Sequence, residues 1–280
     1  MRKCTSVIAL ALLLFLFSSV HAADIQRLGI IPFYAPEKIW NLYTPLIEHL
    51  NKTTGYRWEL KLYNDHDGII SGICKGEVAV AFLGPVPFGR AQEKCRVRPL
   101  LVALGSDGKP DYSSIIITSD PSIRSLSDVR GKRFGFFGGS TAAFVLPRQM
   151  LDEEGISIDK IIPVYFKGQD KLMEALLKHE IAAAGIKESL HEKFKDFSLE
   201  VLKISTPVPN FVFSASPALA PDVEKSFIES LRKIQPRTNP EDRRTVQNWD
   251  DEIKNGFIIA PKNYSGAARN LAELFHKYSR

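Results

Sequence analysis

Apolar residues along the first third of the mature chain follow two periods in turn, one typical of strands and one typical of helices. In the segment 37–51 they recur every three or four residues, as on one face of a helix. The predicted elements, in the order strand, helix, strand, helix, strand, cover residues 25–33, 37–51, 56–63, 67–75 and 78–83. This order is typical of an open α/β sheet, in which ligands bind beyond the carboxyl ends of the strands.

A second region with the same rhythm lies in the middle of the chain. Its predicted strands cover residues 113–118, 132–137, 164–166 and 181–186, and a helix covers 171–178. Residues 208–214 should lead back to the first region, and predicted helices at 222–233, 240–255 and 267–278 should pack on it. We therefore expect a discontinuous lobe (24–114 plus 208–280) and a continuous lobe (115–207). Two strand-like crossings, near Ser113 and Val208, should form the hinge.

The segment Phe134–Pro147 is the strongest candidate for a binding site. Its strand-like start meets Gly138 and Gly139, and a glycine pair permits a tight turn from strand to helix. Ser140 and Thr141 then open a small-residue segment, and serine is a strong helix N-cap. Free N–H groups and the positive end of a helix dipole at such a start favour a bound anion, although the same pattern fits an ordinary capped helix.

The N-terminus of the chain has the features of a secretory signal. Arg2 and Lys3 precede a short apolar run, and small residues follow where a signal peptidase cleaves. We expect residues 1–22 to be a signal peptide cleaved after Ala22 or Ala23. Because the apolar run is too short to span a bilayer, the mature protein should be released.

The mature chain keeps two cysteines, Cys74 and Cys95. In an oxidising compartment the expected state is a disulfide between them. The alternative is a pair of free thiols that holds a soft ligand such as arsenite. No cluster of histidines and cysteines predicts a metal site.

Composition and motifs narrow the function further. The chain has 280 residues and a formal charge of +5, but no basic run is interleaved with aromatic residues, so no nucleic-acid partner is predicted. Motifs for a nucleophile elbow, a zinc protease, a P-loop or a dinucleotide site are missing from the sequence. We therefore expect neither an enzyme nor a bound cofactor.

Several short segments, taken in order, resemble the phosphonate/phosphite/phosphate-binding (PhnD-like) family of periplasmic proteins that serve ABC importers. They are Gly29–Pro32, Tyr43–Leu46, Gly76–Pro85, Tyr112–Ile117, Leu126–Lys132 and Ser140-Thr141 with Pro147. The resemblance covers residues 28 to about 216. It implies an α/β protein with the two-lobe, type II periplasmic binding fold, in which each lobe is an open mixed sheet flanked by helices and the ligand lies in the cleft between them.

The resemblance also implies a set of ligand-binding residues. The family holds an oxyanion with a Ser-Thr-Ser loop, which is Ser140-Thr141-Ala142 here, so the third residue offers its backbone N–H alone. One family tyrosine falls at His66, another falls near Leu83, and the family histidine falls at Gln169. His66 also fits a solvated loop residue, and Gln169 also fits a helix cap.

The acidic residues that the family uses for aminophosphonates are only partly matched. One corresponds to Glu188, which also fits a solvated position in a run of mixed charge, and another is replaced near Phe211. Loss of one carboxylate argues against an aminophosphonate ligand. Tyr34 and Phe88 fit either ligand recognition or simple packing.

The function implied by the resemblance is capture of a small oxyanion in the periplasm by a monomer that delivers it to an ABC permease. The alternative is a periplasmic sensor that partners a membrane histidine kinase, with a non-phosphorus or thiol-bound ligand such as arsenite.

Overall fold

A computed structural model describes residues 25–279, so the predicted signal peptide at 1–22 lies outside the described residues. The strands are β1 Gln26–Ile30, β2 Trp58–Lys61, β3 Val80–Leu83, β4 Arg98–Ala103, β5 Asp111–Tyr112, β6 Ser114–Thr118, β7 Arg133–Phe137, β8 Ile162–Phe166, β9 Ala183–Lys187, β10 Glu200–Ile204, β11 Val208–Pro209, β12 Val212–Ala215 and β13 Phe257–Ile259. The helices are α1 Pro36–Thr53, α2 His66–Cys74, α3 Pro85–Cys95, α4 Leu146–Glu153, α5 Gln169–Leu177, α6 Glu188–Glu192, α7 Pro221–Arg232, α8 Pro240–Thr245 and α9 Tyr264–Tyr278. Short 3₁₀ turns cover Leu126–Val129 and Ile158–Lys160, and a wide π-helical turn covers Thr141–Val145.

The strands form two mixed sheets, and we name the two lobes after them. The first lobe is built on six strands in the order β13-β4-β12-β3-β1-β2, and the second on five in the order β10-β6-β9-β7-β8. In the first sheet β1 runs parallel to β2 and β3, whereas β12 runs antiparallel to β3 and β4. In the second sheet β7 runs parallel to β8 and β9, whereas β6 runs antiparallel to β9 and β10. Each lobe is therefore an open mixed sheet.

A two-stranded ribbon connects the lobes. Strand β5 pairs with β11 antiparallel, with Tyr112 opposite Val208 and Asp111 opposite Pro209. The chain passes from the first sheet to the second directly after β5 and returns through β11. The residue boundaries of the lobes and the hinge role of this ribbon remain predictions.

The central strand of each sheet is completely buried, because each sheet is covered on both faces. All four residues of β3 and all five of β9 are buried, as expected for central strands packed between helices. Large rings fill the first core, where the Phe82 ring centroid lies 4.7 Å from that of Phe213. In the second core the Phe134 and Phe136 centroids lie 4.8 Å apart.

The C-terminal region differs from the predicted pattern. The helix expected over 240–255 ends at Thr245, and strand β13 follows it. Asp250 accounts for part of the difference, because its carboxylate accepts a hydrogen bond from the backbone N–H of Glu252 at 3.0 Å. A side chain that bonds its own backbone two residues on stabilises a turn in place of a helix.

The predicted disulfide between Cys74 and Cys95 is confirmed. The two residues end helices α2 and α3, and their Cα atoms lie 5.4 Å apart. Both thiols of the proposed arsenite site are thereby used in the bond. Within residues 25–279, no helix is both long enough and apolar enough to cross a membrane.

Candidate functional site

A cavity lies between the lobes, beyond the carboxyl ends of strands from both sheets. The cavity offers a volume of about 20 Å³ to the centre of a water-sized sphere. This is enough for a compact group somewhat larger than one water molecule. Strands β1, β3, β7 and β9 end beside it. Its walls are formed by Ile31, Phe33, His66, Gly84, Pro87, Tyr112, Phe137, Ser140, Thr141, Ala142, Gln169, Lys187 and Phe211.

Four helices begin at the walls of this cavity. In the first lobe, helix α2 begins at His66 and α3 begins at Pro85. In the second lobe, the π-helical turn that leads into α4 begins at Thr141, and α5 begins at Gln169. The first N–H groups of a helix have no acceptor within it, and the helix dipole is positive at that end. The helix dipoles of both lobes therefore favour an anion in the cavity, while the starting N–H groups of α2 and α3 already have acceptors on Asp65 and Thr141.

The turn Ser140-Thr141-Ala142 has the cap that its sequence predicts. The Ser140 hydroxyl oxygen accepts the N–H of Ala143 at 3.1 Å, and Gly139 has a φ of +80°, which suits glycine. One expected donor is already used, because the Ser140 N–H donates to the carbonyl of Phe137 at 3.2 Å. The backbone donors left for a ligand in this turn are the N–H groups of Thr141 and Ala142.

The turn is wider than an α-helical turn, and Pro147 explains why. Proline has no N–H and its ring crowds the preceding turn, so the regular bonding pattern cannot continue through it. The carbonyl of Ala142 accepts instead from the Ser114 hydroxyl at 2.6 Å, and the first helical bond joins the Val145 N–H to the Ser140 carbonyl at 3.1 Å. Such π-helical turns are frequent at functional sites.

Thr141 and Tyr112 bring hydroxyl groups to the cavity. The Thr141 oxygen accepts the N–H of Val86 at 3.0 Å, which joins the second lobe to the first turn of α3. Its hydroxyl hydrogen is left to donate to a ligand. The Tyr112 hydroxyl is buried and forms no well-aligned hydrogen bond among residues 25–279, although a contact with the Thr141 hydroxyl opposes the rise in the pKa of Tyr112. Burial is the main cause that raises the pKa of Tyr112, so this hydroxyl keeps its proton and can donate.

His66 is buried against the opposite lobe. Its ring packs edge-on against Phe137 at a centroid distance of 5.0 Å. Burial, followed by the charge of Arg90, lowers the pKa of His66 to about 4. The neutral imidazole can donate one hydrogen bond and accept another. Because the unfolded chain binds this proton first, His66 reduces stability as the pH falls from about 6.5 towards 4.

Lys187 is a wall residue that the sequence analysis missed. It ends β9, is buried, and its ammonium donates to Asn210 Oδ1 at 2.8 Å and to the carboxylate of Glu252. The ammonium also lies 4.5 Å from the ring centroid of Tyr112. The family resemblance indicated Glu188, the next residue along the chain, but Glu188 begins α6, and the side chain that reaches the cavity is the last one of β9.

The structure brings five of the seven predicted ligand residues to the cavity: Ser140, Thr141, Ala142, His66 and Gln169. The Gln169 side chain is buried and its backbone N–H donates to the carbonyl of Phe33 at 3.2 Å, across the cleft. Glu188 and Tyr34 do not line the cavity.

Glu188 and Tyr34 have other partners. The Glu188 carboxylate accepts the N–H of Ser113 at 3.1 Å, beside the ribbon. Tyr34 packs on Phe33 with a centroid distance of 4.6 Å, and the ammonium of Lys38 lies 3.7 Å from its ring centroid. Phe88, the other aromatic residue considered, is buried against Tyr264.

The charges of the wall define what it can bind. Among residues 25–279, no carboxylate lines the cavity, and its one charged wall residue is Lys187. The same residues include no cluster of histidine, cysteine and acidic side chains that could hold a metal ion. The arrangement suits a small acceptor-rich anion and lacks a partner for a ligand ammonium group.

Two mixed sheets joined by a ribbon, with a cavity between them, define a type II periplasmic binding protein. The fold is shared with the binding component of an ABC phosphonate transporter from Pseudomonas aeruginosa, at a TM-score of 0.78 and 17% identity over 91% of this chain and 87% of that one. It is shared equally with PhnD1 of Prochlorococcus marinus in complex with methylphosphonate, at a TM-score of 0.77 and 13% identity over 92% and 99% of the two chains.

Sequence comparison gives the family. The family described as "ABC transporter, phosphonate, periplasmic substrate-binding protein" matches residues 28–263, and the chain belongs to it. The Phosphate-import protein PhnD of Mycolicibacterium smegmatis is 28% identical over 201 residues, which cover 65% of this chain and 63% of the relative. The phosphonates-binding periplasmic protein of Escherichia coli is 28% identical over 152 residues, which cover 51% and 44%. The chain thus spans less than two thirds of the length of either relative.

Proposed function

We propose that this protein captures a compact phosphorus oxyanion without an amino group, such as phosphate, phosphite or methylphosphonate, and delivers it to an ABC importer. The observation that carries the proposal is the wall of the interlobe cavity. Helix starts, hydroxyl groups and one ammonium face the cavity, and no described carboxylate does.

The donors of the wall are sufficient for a useful affinity. The N–H groups of Thr141 and Ala142, together with the hydroxyls of Ser140, Thr141 and Tyr112, provide about five donors. Hydrogen bonds to a charged group contribute about 1.5–3 kcal/mol each, and a micromolar complex needs about 8 kcal/mol net. Five such bonds contribute about 7.5–15 kcal/mol, so the upper part of this range leaves a surplus that offsets the cost of ordering the ligand and the lobes.

The size and charge of the cavity argue for a ligand without an amino group. A compact tetrahedral anion fits the available space, whereas a longer amino-bearing chain needs more room and an acceptor for its ammonium group. Phe211 lies where the family resemblance suggested an acid, and Glu188 is held by the ribbon backbone. The relative bound to methylphosphonate has a ligand of this compact class.

Capture involves closure of the two lobes about the β5–β11 ribbon. Contacts across the cleft include the bond from the Val86 N–H to Thr141 and the bond from the Gln169 N–H to Phe33. A ligand that touches both lobes adds to these contacts and favours the closed state. The matched family supports delivery to an importer over signalling to a kinase.

A thermal-shift panel tests the ligand class. We expect phosphate, phosphite or methylphosphonate to raise the melting temperature, because a bound ligand stabilises the folded state by about 2.7 kcal/mol at a hundredfold excess over its Kd. Sulfate, arsenite and aminoethylphosphonate should shift it less. A response to arsenite alone, or to none of the phosphorus anions, would contradict the proposal.

A further inference from the structure

Lys187 occupies an unusual position for a lysine. Its side chain is only 6% exposed, and it lies at the end of β9, where the strand meets the cavity. Lysine is rarely buried unless its charge is paired, because desolvation of an ammonium group is costly. A buried lysine at the wall of a small cavity is not explained by packing alone.

Two groups fix the position of the ammonium. Asn210 presents its side-chain oxygen because its amide nitrogen donates to the Ala103 carbonyl at 3.1 Å, while the same oxygen accepts the Phe211 N–H at 2.9 Å. Glu252 approaches from the first lobe and forms an ion pair with Lys187, which belongs to the second. Asn210, which is bonded to β4, and Glu252 both lie on the first-lobe side, so they hold the lysine of the second lobe across the cleft.

These bonds leave part of Lys187 available to a ligand. An ammonium group has three N–H donors, and Asn210 and Glu252 use two of them. Lys187 lines the cavity, whereas Glu252 does not. A ligand in the cavity therefore meets the positive member of the ion pair first, and its oxygen can accept the third N–H.

We propose that Lys187 is a specificity-determining residue, which binds an oxygen of a doubly charged phosphorus oxyanion and excludes ligands that carry an amino group. The inference rests on the proposed function and narrows its ligand class. Glu252 acts as a positioning residue that orients the ammonium and joins the lobes. A ligand ammonium group beside Lys187 would meet a like charge, and no described carboxylate lines the cavity to accept it.

Calorimetric titration with a matched ligand pair tests this inference. Methylphosphonate and aminomethylphosphonate differ only by an amino group, so the ratio of their Kd values isolates its effect. Lys187→Gln should weaken methylphosphonate binding roughly tenfold or more, because a charged donor is lost, and should reduce the preference over aminomethylphosphonate by a similar factor. Lys187→Arg should keep the preference, because arginine also carries a positive charge, and Glu252→Gln should keep it because glutamine still offers the ammonium an acceptor oxygen.

The outcomes separate three cases. If the wild-type protein binds no phosphorus oxyanion, the proposed function fails. If it binds one but Lys187→Gln leaves the ratio of the two Kd values unchanged, the inference about Lys187 alone is wrong. If Lys187→Gln and Glu252→Gln weaken both ligands equally, the ion pair serves only to join the lobes, and the specificity role is again wrong. The ratio remains informative for a variant of lowered stability, and Lys187→Met, which keeps the aliphatic chain without the charge, supplies the readout if Lys187→Gln does not fold.

Discussion

Replacing Thr141 with valine is expected to weaken binding of the phosphorus oxyanion by roughly tenfold to a hundredfold, while the fold is retained. Valine has the shape of threonine but no hydroxyl, so the cavity loses one O–H donor. The Val86 N–H also loses the acceptor that it has at 3.0 Å across the cleft. An unsatisfied buried group costs about 1–3 kcal/mol, so both the ligand and the closed state are affected.

Thr141→Ser is the matched control for this prediction. Serine keeps the hydroxyl and loses only a methyl group, so its Kd should stay within a few-fold of the wild-type value. Calorimetric titration with phosphate or methylphosphonate measures both variants, and far-ultraviolet circular dichroism checks their fold. Equal Kd values for Thr141→Val and the wild-type protein would mean that the hydroxyl neither binds the anion nor supports closure.

Replacing Gly185 of β9 with alanine is expected to displace the turn Ser140-Thr141-Ala142, which packs against this strand. A Cβ atom at Gly185 would lie 1.9 Å from Pro147 Cγ and 3.4 Å from the Ala142 carbonyl oxygen. The ring of Pro147 cannot rotate away as a flexible side chain can, so the helix must shift relative to β9. Overpacking of this kind costs about 1–3 kcal/mol of stability, and the shifted turn should also bind the anion less tightly.

Gly138→Ala provides the control, since an added Cβ there meets no atom within 4 Å. Its φ is not positive, so alanine should be accepted without backbone strain. Thermal unfolding and calorimetric titration of the two variants compare a position where the added methyl group would clash with one where it has free space. A Gly185→Ala protein with wild-type stability and affinity would show that close packing of β9 does not fix the turn.

Much of the fold follows from the sequence because the patterns are local. The spacing of apolar residues predicts the order of strands and helices. Ser140 caps its helix because serine is a preferred N-cap residue whatever the fold. The disulfide was also predictable, because only two of the three cysteines, Cys74 and Cys95, lie outside the expected signal peptide, which leaves a single intramolecular pairing. The family resemblance added the two-lobe arrangement, which local patterns alone do not specify.

The parts that were missed depend on contacts between distant segments. Lys187 and Glu188 are neighbours in sequence, but Lys187 ends β9 at the cavity and Glu188 begins α6, and the position of this boundary depends on how β9 pairs within its sheet. The partner of Lys187, Glu252, lies in a segment expected to be helical, where Asp250 forms a turn instead. The role of Tyr112 could not be found from its own segment either, because only the fold buries its hydroxyl in the cavity wall beside Thr141.

A crystal structure of the protein with arsenate would test the central claim most directly, since arsenate has the shape and charge of phosphate and arsenic can be located by its anomalous scattering. We expect one arsenic peak in the interlobe cavity, with oxygens within hydrogen-bonding distance of the Thr141 and Ala142 N–H groups, the Tyr112 hydroxyl and the Lys187 ammonium. An occupied site elsewhere, with the cavity empty at saturating arsenate, would contradict the account.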